Sequence, residues 1–371
     1  MPEIYATPAQ VAGAVHHVQQ QIDALAKLTV PVDSWGDVQK AVRSGLAAKV
    51  FSIGDQLICQ RAGVNLVWDV IGIDHDTPAD PQFTHSMTLQ LHDCFTANMQ
   101  FDAPEALYYC ETALAADDIC HFAVSGTDYQ FTVPPGGIAA GSQLMLNFTG
   151  DTPASLSVSA AKGGTASGSI TVTAGDGGTA LVTNDSNRVL YGSDNYRESA
   201  IRQWLNSSAA AESVWTPQTD FDRPPRWHTG EGGTVKQDGF MHGMDADFLA
   251  VLGNVTKVTA KNTVTDGGGS DTTTEKFFLL SKSEIYSGTE GSGVDEGSPY
   301  PYYSDYSGLS EAGTGNDSNR IKYKNDTAQI WWIRTPRVQN SNEVYAVFAS
   351  GAVYTNNANG SGRVSPACNI I

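Results

Sequence analysis

Apolar residues recur along this chain with more than one period, and each period predicts a different element. Val11, Val15, Val18, Ile22 and Leu25 follow at alternating steps of four and three. That is heptad spacing, with Val15 and Ile22 at a positions and Val11, Val18 and Leu25 at d positions. Thr7-Pro8-Ala9-Gln10 precedes the seam as a helix start, with Thr7 as cap, Pro8 at the first helical position and Gln10 completing a capping box. β-branched residues along such a seam lean toward a trimer, and the plainer alternative is an amphipathic helix docked on its own domain. Val30-Pro31-Val32 ends this helix. Ser34 and Asp37 then open a second one, carrying Trp35, Val38, Val42 and Leu46, with Gly45 near its end. Residues 51–58 and 66–73 read as two strands joined around Gly63, and 87–91 as a third.

The pattern then shortens. Runs at 106–109, 119–124, 129–133, 143–148, 156–159, 169–172 and 180–183 are separated by Gly, Pro and Asp turns. Close-spaced short strands predict a β-sandwich or jelly roll over 101–183, serving as a spacer or a carbohydrate-binding module. After a linker at 184–187, helices are predicted at 199–206, with Ile201, Trp204 and Leu205 apolar, and at 245–253, with Phe248, Leu249, Val251 and Leu252 inward. Residues 276–280 and 330–333 read as buried strands. The expected fold class is α+β and multidomain. It comprises an N-terminal oligomerisation helix over 1–30, a small α+β domain over 31–100, the β insert over 101–183, and a C-terminal domain over 184–371.

Composition sharpens this outline. With 22 basic and 40 acidic residues the net charge is −18, which argues against nucleic acid and against anionic lipid as partners. Abundant glycine, 37 residues, fits a turn-rich β protein. Five cysteines (Cys59, Cys94, Cys110, Cys120, Cys368) form no Cys-x-x-Cys pair, so no zinc site is expected, and all are expected reduced. Residues 1–14 carry no basic region followed by an apolar run, so no signal peptide is expected. No apolar run approaches about 18 residues, so no membrane insertion is expected.

The last forty residues stand apart. Trp331-Trp332-Ile333-Arg334-Thr335-Pro336 opens them and Val364-Ser365-Pro366-Ala367-Cys368 closes them. Between lie Arg337, Gln339, Asn340, Asn342, Glu343, Tyr345, Phe348, Tyr354, Asn356, Asn357, Asn359 and Ser361, spaced by small apolar residues. Tyr offers large contact area at low entropic cost, and Asn and Ser offer adaptable hydrogen bonding, which is the composition of a binding face. The bland reading is an Asn-rich turn closing a β domain. This arrangement resembles the variable proteins of diversity-generating retroelements, over roughly residues 191–371. The resemblance implies a C-type-lectin-type fold related to that of the formylglycine-generating enzyme. It also implies a receptor-binding role in host recognition on a phage or prophage tail, as in a tail fibre. The twelve residues named above would be the ligand-binding positions. The implied partners are a host cell-surface receptor (protein or glycan), other tail proteins and further copies of the chain. The implied location is the virion or an extracellular surface.

Catalytic signatures are lacking in the sequence. There is no Gly-x-Ser-x-Gly, no Gly-x-x-x-x-Gly-Lys and no His-Glu-x-x-His. His75, His85 and His92 match no metal-ligand spacing, and His228 and His242 have no spaced partner. The Glu-Pro-Asn and Gln-Pro-Asp motifs of calcium lectins are missing, and Cys368 alone in the C-terminal half does not support formylglycine-type chemistry. We therefore expect no catalytic residues, no metal and no cofactor. A cell-surface adhesin or lectin is the alternative binding class, and an enzyme of the formylglycine-generating type the remaining one. Arg334, behind two tryptophans, is expected to pair with a buried acid or stack on an aromatic ring.

Overall fold

The computed structural model describes residues 32–103, 192–218, 236–286, 293–303 and 318–371, with Val15, Val18 and parts of 107–174, 188–191 and 224–229. It is a mixed α/β protein made mostly of β-sheets, with a few short helices. Most of the N-terminal seam and the linker at 184–187 lie outside the described residues. Val15 and Val18 are helical and exposed.

Helix α1 (Trp35–Arg43) starts where the cap residues place it. Ser34 Oγ accepts the Asp37 N–H at 3.2 Å, and Val38, Ala41 and Val42 are buried. A single turn, α2 (Ala47–Val50), follows. Strand β1 (Gln56–Arg61) begins later than its apolar run suggests. Gly54 takes a positive φ of 91° and the Asp55 carboxylate accepts the Ser52 N–H at 2.8 Å, so residues 52–55 turn rather than extend. Ala62 and Gly63 both have positive φ, as a two-residue hairpin requires, and return the chain into β2 (Val64–Ile73). Strand β3 (Met87–Leu91) is buried at every position.

The chain's end completes this sheet. β20 (Ala367–Ile370) pairs antiparallel with β3, Ala367 facing Gln90 and Ile370 facing Met87. The six-stranded sheet runs β1-β2-β3-β20-β11, with β11 (Leu252–Gly253) at one edge and β14 (Phe277–Phe278) also on β20. Residues 32–103 and the C-terminal half, treated separately above, thus share one sheet and one large core that extends from Val38 to Ile370. A strand buried on both faces with neighbours on both sides cannot be detached without exposing all of it.

The strands of the middle segment fall into two sheets. One runs β10 (Thr171–Ala174), β7 (Gln143–Asn147), β4 (Leu107–Tyr109). The other runs β8 (Val158–Ser159), β5 (Ile119–Val124), β6 (Thr127–Thr132), β9 (Gly168–Ser169). The ends of this excursion meet. A Cβ on Gly192, whose φ is 85°, would lie 2.7 Å from the Asp102 carbonyl oxygen, and the Asp102 carboxylate accepts the Ser193 N–H at 3.2 Å.

In the C-terminal half, α3 (Ala200–Leu205) is capped by Ser199 and buries Ile201, Trp204 and Leu205. α4 (Arg226–Thr229) is a short turn. α5 (Ala246–Val251) stops before the predicted 253 because Leu252 extends into β11, and Leu249 is only partly buried. The hairpin β12 (Val255–Ala260) and β13 (Ser270–Glu275) leads through β14 to the single-turn α6 (Lys282–Ile285). β15 (Tyr323–Lys324) and β16 (Thr327–Ala328) form a small ribbon. The last sheet orders β17 (Trp331–Pro336), β18 (Glu343–Val347) and β19 (Val353–Asn357).

β17 is buried at all six positions and divides two cores. Trp332 joins the large core, while Trp331 and Ile333 join a smaller one with Phe278, Leu280, Ile285 and Tyr300. Each indole N–H is satisfied: Trp332 Nε1 donates to the Met99 carbonyl and Trp331 Nε1 to the Arg320 carbonyl, both at 2.9 Å. Gly362 packs bare against Trp332, where a Cβ would lie 2.5 Å from Nε1. Trp332→Ala should therefore lower stability by about 3–5 kcal/mol through the cavity it leaves. Gly362→Ala should also destabilise by crowding the same ring, at about 1–3 kcal/mol. Denaturant melts of the two variants check both values.

Candidate functional site

The candidate site is the hairpin β18–β19, and it stands on a buried electrostatic base. Ser281 caps α6, and Glu284 closes the capping box by accepting the Ser281 N–H at 2.9 Å. The same Glu284 Oε2 accepts Arg334 Nη1 at 2.6 Å, and Oε1 accepts Lys257 Nζ at 2.9 Å. Lys257 also reaches Asp76 Oδ1 at 2.6 Å. Asp76 Oδ2 accepts the Tyr300 hydroxyl at 2.7 Å and Asn369 Nδ2 at 2.9 Å. Arg334 further donates to the carbonyls of Leu279 at 2.8 Å and Glu296 at 2.7 Å. The expected buried acid for Arg334 is thus Glu284.

Burial alone would raise the Asp76 carboxyl, but Lys257 and the surrounding donors hold it well below the usual carboxylate range. Glu284 is likewise lowered: burial opposes, and Arg334 and Lys257 prevail. Burial pushes the Glu296 carboxyl up, against Arg334 and the hydrogen bonds from Thr335 and the Ala260 N–H. Within the set Asp76, Lys257, Glu284 and Arg334, two cations face two carboxylates.

β17 hands this rigidity to β18. Asn340 N–H donates to the Arg337 carbonyl at 2.9 Å and Arg337 N–H to the Glu343 carbonyl at 2.8 Å, closing the turn between them. The second turn is made by Phe348 N–H to the Ala352 carbonyl and Gly351 N–H to the Phe348 carbonyl, each 2.8 Å, with Gly351 at φ 82°. Register pairs Glu343 with Asn357, Tyr345 with Thr355 and Ala346 with Tyr354.

Because side chains alternate across a strand, the twelve expected positions do not form one face. Glu343, Tyr345 and Asn357 share one side with Thr355, while Tyr354 and Asn356 lie on the other beside buried Val344 and Ala346. On the first side the groups interlock. Glu343 Oε2 accepts Arg337 Nη1 at 2.6 Å and Thr355 Oγ1 at 2.9 Å. Tyr345 lies over the buried Lys282 ammonium, 4.4 Å from the ring centroid. On the second side Phe348 and Tyr354 meet nearly edge to face, with centroids 5.6 Å apart. Arg337, Gln339, Tyr354 and Ser361 are exposed, and Asn340, Asn356, Asn357 and Asn359 are half-buried.

Asn342 departs from expectation. It is buried at 3% exposure, donates from Nδ2 to Asn357 Oδ1 at 2.8 Å, and its carbonyl accepts the Ala358 N–H at 2.8 Å. It belongs to the hairpin's frame and not to its surface. Its neighbour Ser341 accepts the Asp194 N–H at 3.3 Å. Burial pushes the Asp194 carboxyl well above its ordinary range, with Asn262 donating to Oδ1 at 2.7 Å. Thr355, Lys282 and Gly360 also bear on the site. Only the strand register, once Gly351 is known to turn, reveals which side each serves.

The histidines pair separately. His85 meets Asp74 at 3.1 Å, His92 meets Asp69 at 2.9 Å, and His75 stacks on Tyr300 at 4.1 Å. Among the described residues no group of three or more His, Cys, Asp or Glu converges as a metal site would. Cys59, Cys94 and Cys368 are free and buried, and burial pushes the first two thiols up to about 12. No helix among the described residues is long and apolar enough to cross a membrane.

The sheets and the hairpin define a mixed α/β protein whose C-terminal half carries its polar edge. That half matches a family model described as Domain of unknown function (DUF6273) over residues 177–371, more than half of the chain, and the chain belongs to this family. No curated protein and no solved structure matches it.

Two measurements test the site's construction. Arg334→Ala leaves Glu284 buried without its closest cation and should cost about 3–5 kcal/mol. Asp76 and Glu284 both have lowered folded values, so their contribution is complete above the ordinary carboxylate range near 4 and is lost progressively as pH falls from there through the lowered folded values. Asp76→Asn should flatten the acid limb of a stability-against-pH curve, and an unchanged limb would remove Asp76 from the network. On the hairpin, Asn356→Ala should change stability by less than about 0.5 kcal/mol. Asn342→Ala should cost about 1–3 kcal/mol by unpairing buried polar groups. Equal melting shifts for the two would contradict the division into frame and surface.

Proposed function

We propose that this chain is a receptor-binding protein that presents a diversified surface on the β18–β19 hairpin. The finer reading of its C-terminal half is a C-type-lectin-type fold, supported by helices α3 to α5 preceding the short strands. The observation that carries the function is the junction of a wholly buried strand, Trp331–Pro336, with an edge hairpin whose outward residues are Tyr, Asn, Thr and Ser. A surface can change residue by residue only where its frame does not depend on it. Here the frame rests on Trp331, Trp332 and the Arg334 network, while Gln339, Tyr354 and Ser361 are exposed and Asn356 and Asn359 half-buried.

The protein acts as a binder and not as an enzyme. Its described thiols are buried and raised, the opposite of a reactive cysteine. It is carried on a phage or prophage tail, where several weak sites on one particle gain avidity. Its N-terminal helix assembles copies of the chain, a trimer being favoured by the β-branched seam.

Population sequencing of the gene tests diversification. We expect adenine-directed changes confined to codons within 337–361, constant codons for 331–336 and 364–368, and a nearby reverse transcriptase with a near-copy of the gene's 3′ end. Uniform codons with no reverse transcriptase nearby would sink the proposal. Tail genes beside it support the phage setting, whereas an isolated surface-protein locus points to a cellular adhesin.

A further inference from the structure

We propose that a pocket between β2 and residues 93–96 binds a small organic carboxylate with an apolar or aromatic body. The pocket holds about 210 Å³. Sites for drug-sized ligands measure about 300–1,000 Å³, so its occupant is small. The pocket shares no residue with the β18–β19 hairpin, and the reading does not depend on that hairpin's role.

The pocket opens because the sheet parts. β3 follows β2 until the His92 N–H donates to the Val67 carbonyl at 2.8 Å. The chain then turns away. The Cys94 N–H goes to the Tyr323 carbonyl and the Phe95 N–H to the Val364 carbonyl, each at 2.8 Å. Asn65 is left with an open main chain on that side. Its opposite residue on β1, Gln60, turns to Asp245, donating to Oδ2 at 2.8 Å and accepting the Asp245 N–H at 2.9 Å. Peptide groups of opposed residues in an antiparallel pair face each other or both face away. The Asn65 N–H therefore points away from β1, into the gap. Leu66, Leu91, Cys94 and Phe95 give the gap apolar walls.

Charge chooses the ligand. Arg61 and Lys324 line the pocket, and Arg363 Nη1 donates to the carbonyls of Phe95 and Thr96 behind it. The acceptors of both arginines are neutral: the Phe240 and Gly239 carbonyls for Arg61, and Gln329 besides the two carbonyls for Arg363. Among the described residues none of these three cations forms an ion pair, and Asp93 is the one acid on the lining. In a chain of net charge −18 this is a local reversal of sign. Burial pushes the Cys94 thiol up to about 12, while Lys322, Arg363 and Lys324 oppose it and Asp93 adds to it. Low-dielectric walls concentrate such a field on an anion. A carboxylate on the Lys324 ammonium and the Asn65 N–H leaves its body against Leu66, Leu91 and Phe95. Inorganic phosphate has no such body and leaves those walls bare.

Isothermal titration of the full chain tests the site. The ligands are aliphatic and aromatic carboxylates from hexanoate to phenylpropionate, with the matching amides and inorganic phosphate beside them. We expect saturable binding of at least one carboxylate. Its amide should bind about tenfold or more weakly, the effect of one charge-assisted hydrogen bond. Lys324→Met keeps the apolar stem and removes the charge, so it should weaken the carboxylate by a similar factor at an unchanged melting temperature. Val64→Trp, at a lining residue 60% exposed, should block the pocket. Equal affinity for acid and amide in the unaltered protein overturns the proposal. So does binding that Lys324→Met or Val64→Trp leaves intact, and so does binding of phosphate alone or of none of these ligands.

Discussion

The ion network of Asp76, Lys257, Glu284 and Arg334 is the constraint on which the rest of the structure depends. Its four charges come from the β2–β3 loop, β12, α6 and β17, which are far apart in sequence. Each charge would be prohibitively unfavourable alone in the interior, so all four must arrive together. Through Asn369 the network also touches β20, the strand that joins the two ends of the described chain into one sheet. Folding of this region is therefore coupled: the ion set and the central sheet form as one unit.

This coupling explains how an Asn-rich hairpin is held in one register. A two-stranded ribbon is marginal on its own. Here β17 supplies the third strand, and two cores grip it from opposite sides through Trp332 on one and Trp331 with Ile333 on the other. The hairpin then needs only its small apolar residues, Val344, Ala346, Val347 and Val353, to stay in register. Among its other side chains, Asn342 and Asn357 pair within the frame, Tyr345 covers the Lys282 ammonium, and the Arg337–Glu343–Thr355 contacts add a modest surface tie.

Much of the local structure was legible along the chain. Ser34 announced a helix start because its hydroxyl satisfies an N–H group that any helix leaves open, and Ser199 caps the predicted 199–206 helix in the same way. The alternating run Met87-Thr88-Leu89-Gln90-Leu91 announced a strand, although burial of Thr88 and Gln90 on its second face was decided by packing, and the double tryptophan of 331–332 announced a core strand. The polar hairpin stood out through its Asn and Tyr content, and Arg334 through its apolar neighbours. These signals are local because capping, periodicity and side-chain polarity act within a few residues.

What the sequence determined by itself was therefore most of the elements, their principal apolar faces and the place of the Asn-rich polar stretch. Tertiary structure alone decided that β20 returns to β3, that Glu284 is the acid for Arg334, and that Asn342 belongs to the interior. It also decided that Tyr354 and Asn356 face one side while Glu343, Tyr345 and Asn357 face the other. These outcomes depend on pairing register and on long-range charge matching. Shifting the register by one residue would exchange the two sides of the hairpin without altering a single local propensity. The physical reason is that contacts between distant segments are chosen by the whole packed core, and no short window of sequence contains both partners.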